Sequence, residues 1–359
     1  MSSWTYWVTC ALADRGHEIH IITDSADVEP DYSSPDGDIS VPYGIFVHRA
    51  SASPPWHVPN ERHRAIALLD EALKTIGVHR PDALLGVYLV PYGIVAGLAG
   101  ALSGNRWYQR PGSSDIFKFY RGSIWELVLR RVLAGASRVI TDSANHQVIS
   151  PIIEQAVVQV PFVPPPSYFS PVGRPSKGKA VLGIVGKINY HWQHKRLDLA
   201  VRICEALNDQ CTISIQAQGA GVPVFRTYMD SHPLVNVTWK PFVPPTKMPG
   251  ALRALDAIFY FTGGLPFPSF SNVVIEALCC GTMVINDCPD LVGTYRRFGL
   301  DLSPFRDMII QVAPERTFEA ARTISEALHR SRSTAARLPS EAFESFITEV
   351  EEVLFNSLC

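Results

Sequence analysis

Short β-branched runs alternate with longer helical periods along the whole of this chain, and that alternation admits little besides parallel sheets wound from strand-helix-strand units. In the first half the strand candidates are 17–23, 44–50, 82–89, 106–110 and 138–142, with the clearest helices at 61–76, 120–134 and 143–155. Trp125, Leu129, Val132 and Leu133 fall on one face of the second of these helices. Six prolines between Val160 and Gly178 then exclude regular structure and mark a stiff linker. Beyond it the alternation restarts, with strands expected at 181–187, 211–217, 235–240, 256–262, 282–286 and 308–312. The stretch 340–358 sets Phe343, Phe346, Ile347, Val350 and Leu354 against glutamates and reads as a closing amphipathic helix.

The fold class expected is therefore α/β with two similar halves: an N-terminal Rossmann-like domain over 1–165, a C-terminal one over 166–339, and a terminal helix over 340–359. At 359 residues the chain is long enough for two such cores. One departure stands out. A doubly wound domain normally opens on a buried strand and a glycine-rich turn, whereas this chain opens on the helical SSWTYWVTCALAD, so the N-terminal domain reads as lacking its first strand.

Charge narrows the partners. Lys plus Arg is 32 against Asp plus Glu 34, a net charge of −2, so nothing global attracts nucleic acid or anionic lipid. The seven cysteines form no CxxC pair and no ligand-spaced cluster with histidine, which points to a reducing compartment and to no zinc site. His191 and His194 flank Trp192 without a third ligand, and read as a surface loop. No apolar run reaches the length of a membrane span, and Trp4 and Trp7 read as packing residues. The expected location is the cytoplasm, with at most a peripheral contact at the inner membrane face through Arg121, Arg130 and Arg131.

The most informative segment is 256–287, DAIFYFTGGLPFPSFSNVVIEALCCGTMVIND, which reads strand, glycine-containing loop, helix, glycine stop, strand. A helix beginning near Ser271 aims the N–H groups of Asn272, Val273 and Val274 at the carboxyl end of a parallel sheet, a geometry suited to phosphate. Glu276 follows one turn on, within reach of a ribose diol. Gly264 lies in the preceding loop, and Gly281 ends the helix.

SNVVIEALCCGTMVI resembles the signature of family-four glycosyltransferases, retaining enzymes of the two-Rossmann-domain GT-B type, in which an EGFPNVxLEAMACGxPVI pattern is usual. The resemblance implies that Glu276 is the second acidic residue of the family's paired motif and contacts the nucleotide ribose; the first acidic position holds Pro268. VLGIVGKINYHWQHKRLDLAVR resembles the family's VGRxxxxKGxDLLxxA, with Lys187 at the arginine position and Lys195 at the lysine position, which implies that these two cations clamp the diphosphate of the leaving nucleotide. ALADRGHEIHIIT resembles the LxxRGHEVHVIT junction, and WYQRPGSSDI, carrying Arg110, Gly112, Ser114 and Asp115, resembles a strand end that faces the interdomain cleft.

The function implied is transfer of a hexose from a nucleotide diphosphate sugar to a glycan, lipid-linked or small-molecule acceptor, with retention of configuration. No cofactor and no metal are expected, since no DxD-type carboxylate pair stands at a strand end. Pro268 and the missing first strand open two further readings: a donor-binding or partner-binding GT-B protein without turnover, and a sugar-nucleotide epimerase.

Overall fold

A computed structural model describes residues 2–24, 42–50, 60–112, 115–116, 125–141, 149, 153, 157–172, 178–188, 192–263, 270–329 and 337–355. Among them every expected strand is present. The N-terminal half runs α1 (Ser3–Asp14), β1 (Ile19–Thr23), β2 (Ile45–Arg49), α2 (Asn60–His79), β3 (Leu84–Val87), α3 (Ile94–Ser103), β4 (Trp107–Arg110), α4 (Glu126–Gly135), β5 (Arg138–Thr141) and β6 (Val157–Gln159). The last strand was not anticipated: 143–155 reads as a helix and 160–178 as linker, and the short run between them carries too few residues for a period to register. Most of 143–155 and Arg121 lie outside the described residues. On α4, Leu129, Val132 and Leu133 are buried as expected, but Trp125, just before the first turn, is exposed.

Helix α1 is capped and buried. Ser2 caps it by accepting the Thr5 N–H at 3.2 Å, and Trp4, Trp7, Val8 and Leu12 are buried. The two tryptophans are core residues, with Trp7 4.6 Å from the ring of Tyr168 in the linker.

The N-terminal strands do not form one sheet. β1 and β2 pair in parallel as a two-stranded ribbon, while β3, β4, β5 and β6 form a separate parallel sheet in that order. Ile19 and Ile21 of β1 and Leu85 and Val87 of β3 nonetheless share one apolar cluster, so the ribbon is held by side-chain packing rather than by ladder hydrogen bonds.

The C-terminal half contains β7 (Ala180–Lys187), α5 (Leu197–Leu207), β8 (Cys211–Gln218), α6 (Val222–Asp230), β9 (Val237–Lys240), α7 (Met248–Arg253), β10 (Ala257–Tyr260), α8 (Asn272–Cys279), β11 (Met283–Asn286), α9 (Leu291–Arg297), β12 (Ile309–Gln311), α10 (Thr317–His329) and α11 (Ala342–Phe355). Its six strands are parallel in the order β12-β11-β10-β7-β8-β9. The order reverses direction at β7 and β10, which opens the crevice where such sheets bind ligands.

The linker is packed rather than loose: Phe162, Val163 and Phe169 are buried, and the Arg253 guanidinium donates to the Ser170 and Tyr168 carbonyls. Helix α11 returns to the N-terminal half. Phe346 meets Phe162 edge-on, Arg15 pairs with Glu344 at 2.9 Å and Glu351 at 2.5 Å, and the His17 ring stacks on Phe355. No helix among the described residues is long and apolar enough to cross a membrane.

Candidate functional site

A cavity of about 280 Å³ lies between the halves. One wall comes from the N-terminal half: Ser3 at the start of α1, Tyr88 after β3, Arg110 to Gly112 after β4, and Thr141 at the end of β5. The other comes from the C-terminal half: Val185 and Gly186 of β7, Phe242, Phe270, and Ser271, Asn272, Val273 and Glu276 of α8. The wall is assembled from strand ends and helix starts, as the parallel topology requires.

Helix α8 does what its sequence predicts. Ser271 is its N-cap in extended conformation, and Gly281, at φ +79°, ends it. The Ser271 hydroxyl does not cap the helix. Its backbone is held instead by Tyr295, whose buried hydroxyl accepts the Ser271 N–H at 3.1 Å and donates to the Ser271 carbonyl at 3.0 Å. The Val274 N–H is spent on the Ser271 carbonyl. That leaves the Asn272 and Val273 amides in the first turn, where a helix has no internal acceptor for them.

Glu276 is buried at 2 % exposure, not the surface glutamate that its polar character suggests. Its carboxyl pKa is raised to about 7 by burial, an effect that the Ser3 hydroxyl partly offsets by hydrogen bonding across the interdomain gap. Its Oε1 has no hydrogen-bond partner, and neither does the buried Thr141 Oγ1 on the opposite wall. Two polar groups left unsatisfied in one cavity mark where a polar ligand would be recognised.

The N-terminal wall is braced from behind. Asp115 Oδ2 accepts both the Leu89 and the Gly112 N–H at 2.9 Å. It lies under the wall rather than on it, so the structure gives it a positioning place and not the cleft-facing one expected. Tyr88 is held at φ +68°, a conformation that costs a non-glycine residue about 1–3 kcal/mol. Arg110 lines the cavity with its guanidinium 4.7 Å from the centre of the Trp4 ring.

The two lysines are placed differently from the expectation. Both are exposed and neither lines the cavity; Lys195 Nζ folds back to donate to the Lys187 carbonyl at 2.5 Å. Lys187 follows Gly186, whose φ of +118° suits only glycine, and it remains paired with β8 at the end of β7. Gly264, Ser114, Pro268 and His191 lie outside the described residues.

Sequence reasoning missed Asp287. Just after β11 its carboxylate accepts the Thr262 N–H at 2.7 Å and the Gly263 N–H at 2.9 Å, holding the backbone that follows β10. A side chain at Gly263 would collide with it, and the Arg196 guanidinium approaches the same loop. The available signal was an acid directly after a buried strand, at a carboxyl edge that the topology already pointed to.

Residues 2–147 match the glycosyl transferase 4-like domain family. No curated protein sequence matches the chain. Among solved structures it is similar over its whole length to HepE of Anabaena, determined with UDP and glucose, at 14% identity, 96% coverage of that chain and a TM-score of 0.62. It is also similar to WaaG, a glycosyltransferase involved in lipopolysaccharide biosynthesis, at 11% identity, 97% and 94% coverage and a TM-score of 0.63. A third is a putative UDP-N-acetylglucosamine 2-epimerase from Listeria monocytogenes, at 10% identity, 98% and 92% coverage and a TM-score of 0.60. All three share the two-domain GT-B architecture.

Proposed function

From an N-terminal half that belongs to the glycosyl transferase 4-like domain family and a whole chain in the GT-B fold, we propose that the protein is a retaining glycosyltransferase that moves a hexose from a nucleotide diphosphate sugar to an acceptor. The observation that carries the reading is Glu276: a buried carboxyl with an unpaired oxygen, one turn from the free amides of Asn272 and Val273, on a cavity shared by both domains. Ribose hydroxyls donate to that carboxylate, and the diphosphate takes the first-turn amides, whose partial positive charge favours an anion.

Transfer then depends on stabilising the charge that grows on the diphosphate as its bond to the sugar breaks. Lys187 directly follows Gly186 of the cavity wall, and in this reading Lys195 leaves the Lys187 carbonyl to meet the phosphates. Electrostatic stabilisation of this kind is commonly worth several kcal/mol. The acceptor enters against Tyr88, Arg110 and Gly112, and its proton passes to the leaving phosphate on the same face of the sugar, so no carboxylate nucleophile is needed. The acceptor is a glycan or a glycan-bearing molecule, as the kind of structures it resembles supports.

Calorimetry with UDP and GDP tests the donor site. The parent chain is expected to bind one of them, and Glu276→Ala to weaken that binding about tenfold or more, the scale of one lost charged hydrogen bond. Equal affinity in the two proteins would sink the assignment. Turnover is read as nucleotide release from donor sugars with cell extract as acceptor. Conversion of the sugar without net release would favour the epimerase reading, which the likeness to the Listeria protein supports.

Transfer is also expected to survive EDTA, because the helix terminus and two lysines already supply positive charge at the phosphates. Loss of turnover in EDTA, restored by Mg2+ or Mn2+, would refute that expectation.

A further inference from the structure

Three histidines distant in sequence meet at the end of the N-terminal domain opposite the cavity. His20 is on β1, His48 on β2 and His79 is the last residue of α2, and one ligating atom of each lies within 4.8 Å of the others. The parallel register sets His20 beside Phe46 and Ile22 beside His48, an offset of two that puts both imidazoles on one face of the ribbon. Helix α2 ends just before β3 begins, at the amino edge of the sheet, whereas the cavity lies at the carboxyl edge.

The polar contacts around the three rings are arranged as around a metal-binding imidazole group, with one hydrogen bond and one longer ion-pair approach. His20 Nδ1 and His48 Nε2 face each other at 2.8 Å. The far nitrogen of each points to a carboxylate: His20 Nε2 is 2.7 Å from Glu18 Oε1, and His48 Nδ1 is 3.8 Å from Glu71 Oε1. A ligating histidine typically presents one nitrogen to the ion and the other to a carboxylate that orients it. His79 closes the group, its ring 3.9 Å from that of His20 and its Nδ1 3.7 Å from the same Glu18 oxygen.

We propose that His20, His48 and His79 form a binding site for a divalent transition ion of the zinc type, clamping the β1–β2 ribbon to α2. In tetrahedral zinc with bonds of about 2.0–2.1 Å the ligand nitrogens sit roughly 3.3 Å apart, within the 2.8 to 4.8 Å spanned here, so side-chain shifts on the order of 1 Å complete the site. The clamp also has a mechanical purpose: among the described residues the ribbon shares no ladder hydrogen bond with the four-stranded sheet, and an ion would add to the packing and to the Arg64–Asp24 pair that already join it to α2. The ligands come from three separate elements, which is why no spacing motif announces them.

The test is a titration of the metal-stripped full chain with ZnCl2, followed by calorimetry and thermal melting, and repeated with Co2+ for its absorption. One ion per chain, a raised melting temperature, and tetrahedral Co2+ bands without a thiolate charge-transfer band are expected. His79→Gln, at an exposed helix end, and His48→Gln should each weaken binding by about tenfold or more, the scale of losing one group in a metal's shell. Absence of zinc binding, undiminished affinity in the His48→Gln/His79→Gln double variant, or a thiolate band placing the ion on cysteine would each overturn the proposal.

Discussion

Replacing Glu276 by Gln is expected to stabilise the protein by about 3 kcal/mol above pH 8 while weakening its nucleotide binding. The sign follows from the raised pKa. In the unfolded chain the carboxyl loses its proton near its ordinary 4.5, whereas in the fold burial holds the proton to about 7. Below pH 4.5 both states are protonated and the group costs nothing. Between 4.5 and 7 the unfolded state gains from ionising and the fold does not, so stability falls by about 1.4 kcal/mol per pH unit and levels off above 7. Gln has no proton to lose and is spared that decline. Urea denaturation at pH 5 and pH 8 separates the cases: the parent should lose stability across that interval and the variant should not. Parallel losses in both proteins would show that Glu276 is not the buried acid described. A carboxyl kept at such a cost, and relieved only when donors arrive at its bare Oε1, fits a site that trades stability for binding.

Asp115→Ala is expected to lower stability by about 2 to 6 kcal/mol, because two buried backbone N–H groups lose one shared acceptor and each orphaned donor costs about 1–3 kcal/mol. Those donors, on Leu89 and Gly112, flank the cavity wall, so the wall that holds Tyr88 in its left-handed conformation and presents Arg110 should loosen with them. Asp115→Asn retains an oxygen in place and should recover most of the loss. UDP affinity, which rests on the other half, should be equal in all three proteins, while transfer to an acceptor drops in Asp115→Ala. A denaturation midpoint unchanged by the alanine would remove Asp115 from its bracing role.

Much of this architecture was legible in the chain because period is a local property. The β-branched runs ending in Thr23, Lys187 and Asn286 are short and punctuated by helices, and each became a parallel strand close to its expected bounds. The helix over SNVVIEALCC, its cap at Ser271 and its stop at Gly281 were readable for the same reason: caps and left-handed glycines act within a few residues. The division of the N-terminal strands into a two-stranded and a four-stranded sheet, by contrast, was not anticipated. Strand β6 escaped because three residues between a helical stretch and a proline run are too few to show a period.

What depends on distance through space was not legible. Period could not tell that Glu276 is buried against Ser3, more than two hundred and fifty residues earlier, since its depth is set by how the two halves close on each other. Nor could it tell that Asp115 turns inward to backbone amides, that Lys195 folds onto the Lys187 carbonyl, or that Asp287 holds the backbone that follows β10. His20, His48 and His79 make the same point: each alone is an ordinary polar residue, and only the pairing of β1 with β2 and the lie of α2 across them bring the three imidazoles together. The sequence by itself determined the elements, their order and their parallel winding, because those follow from periods and caps spanning a few residues. Which polar groups became buried, paired or left bare was decided only by the tertiary structure, because desolvation and hydrogen bonding depend on neighbours that the chain brings from far away.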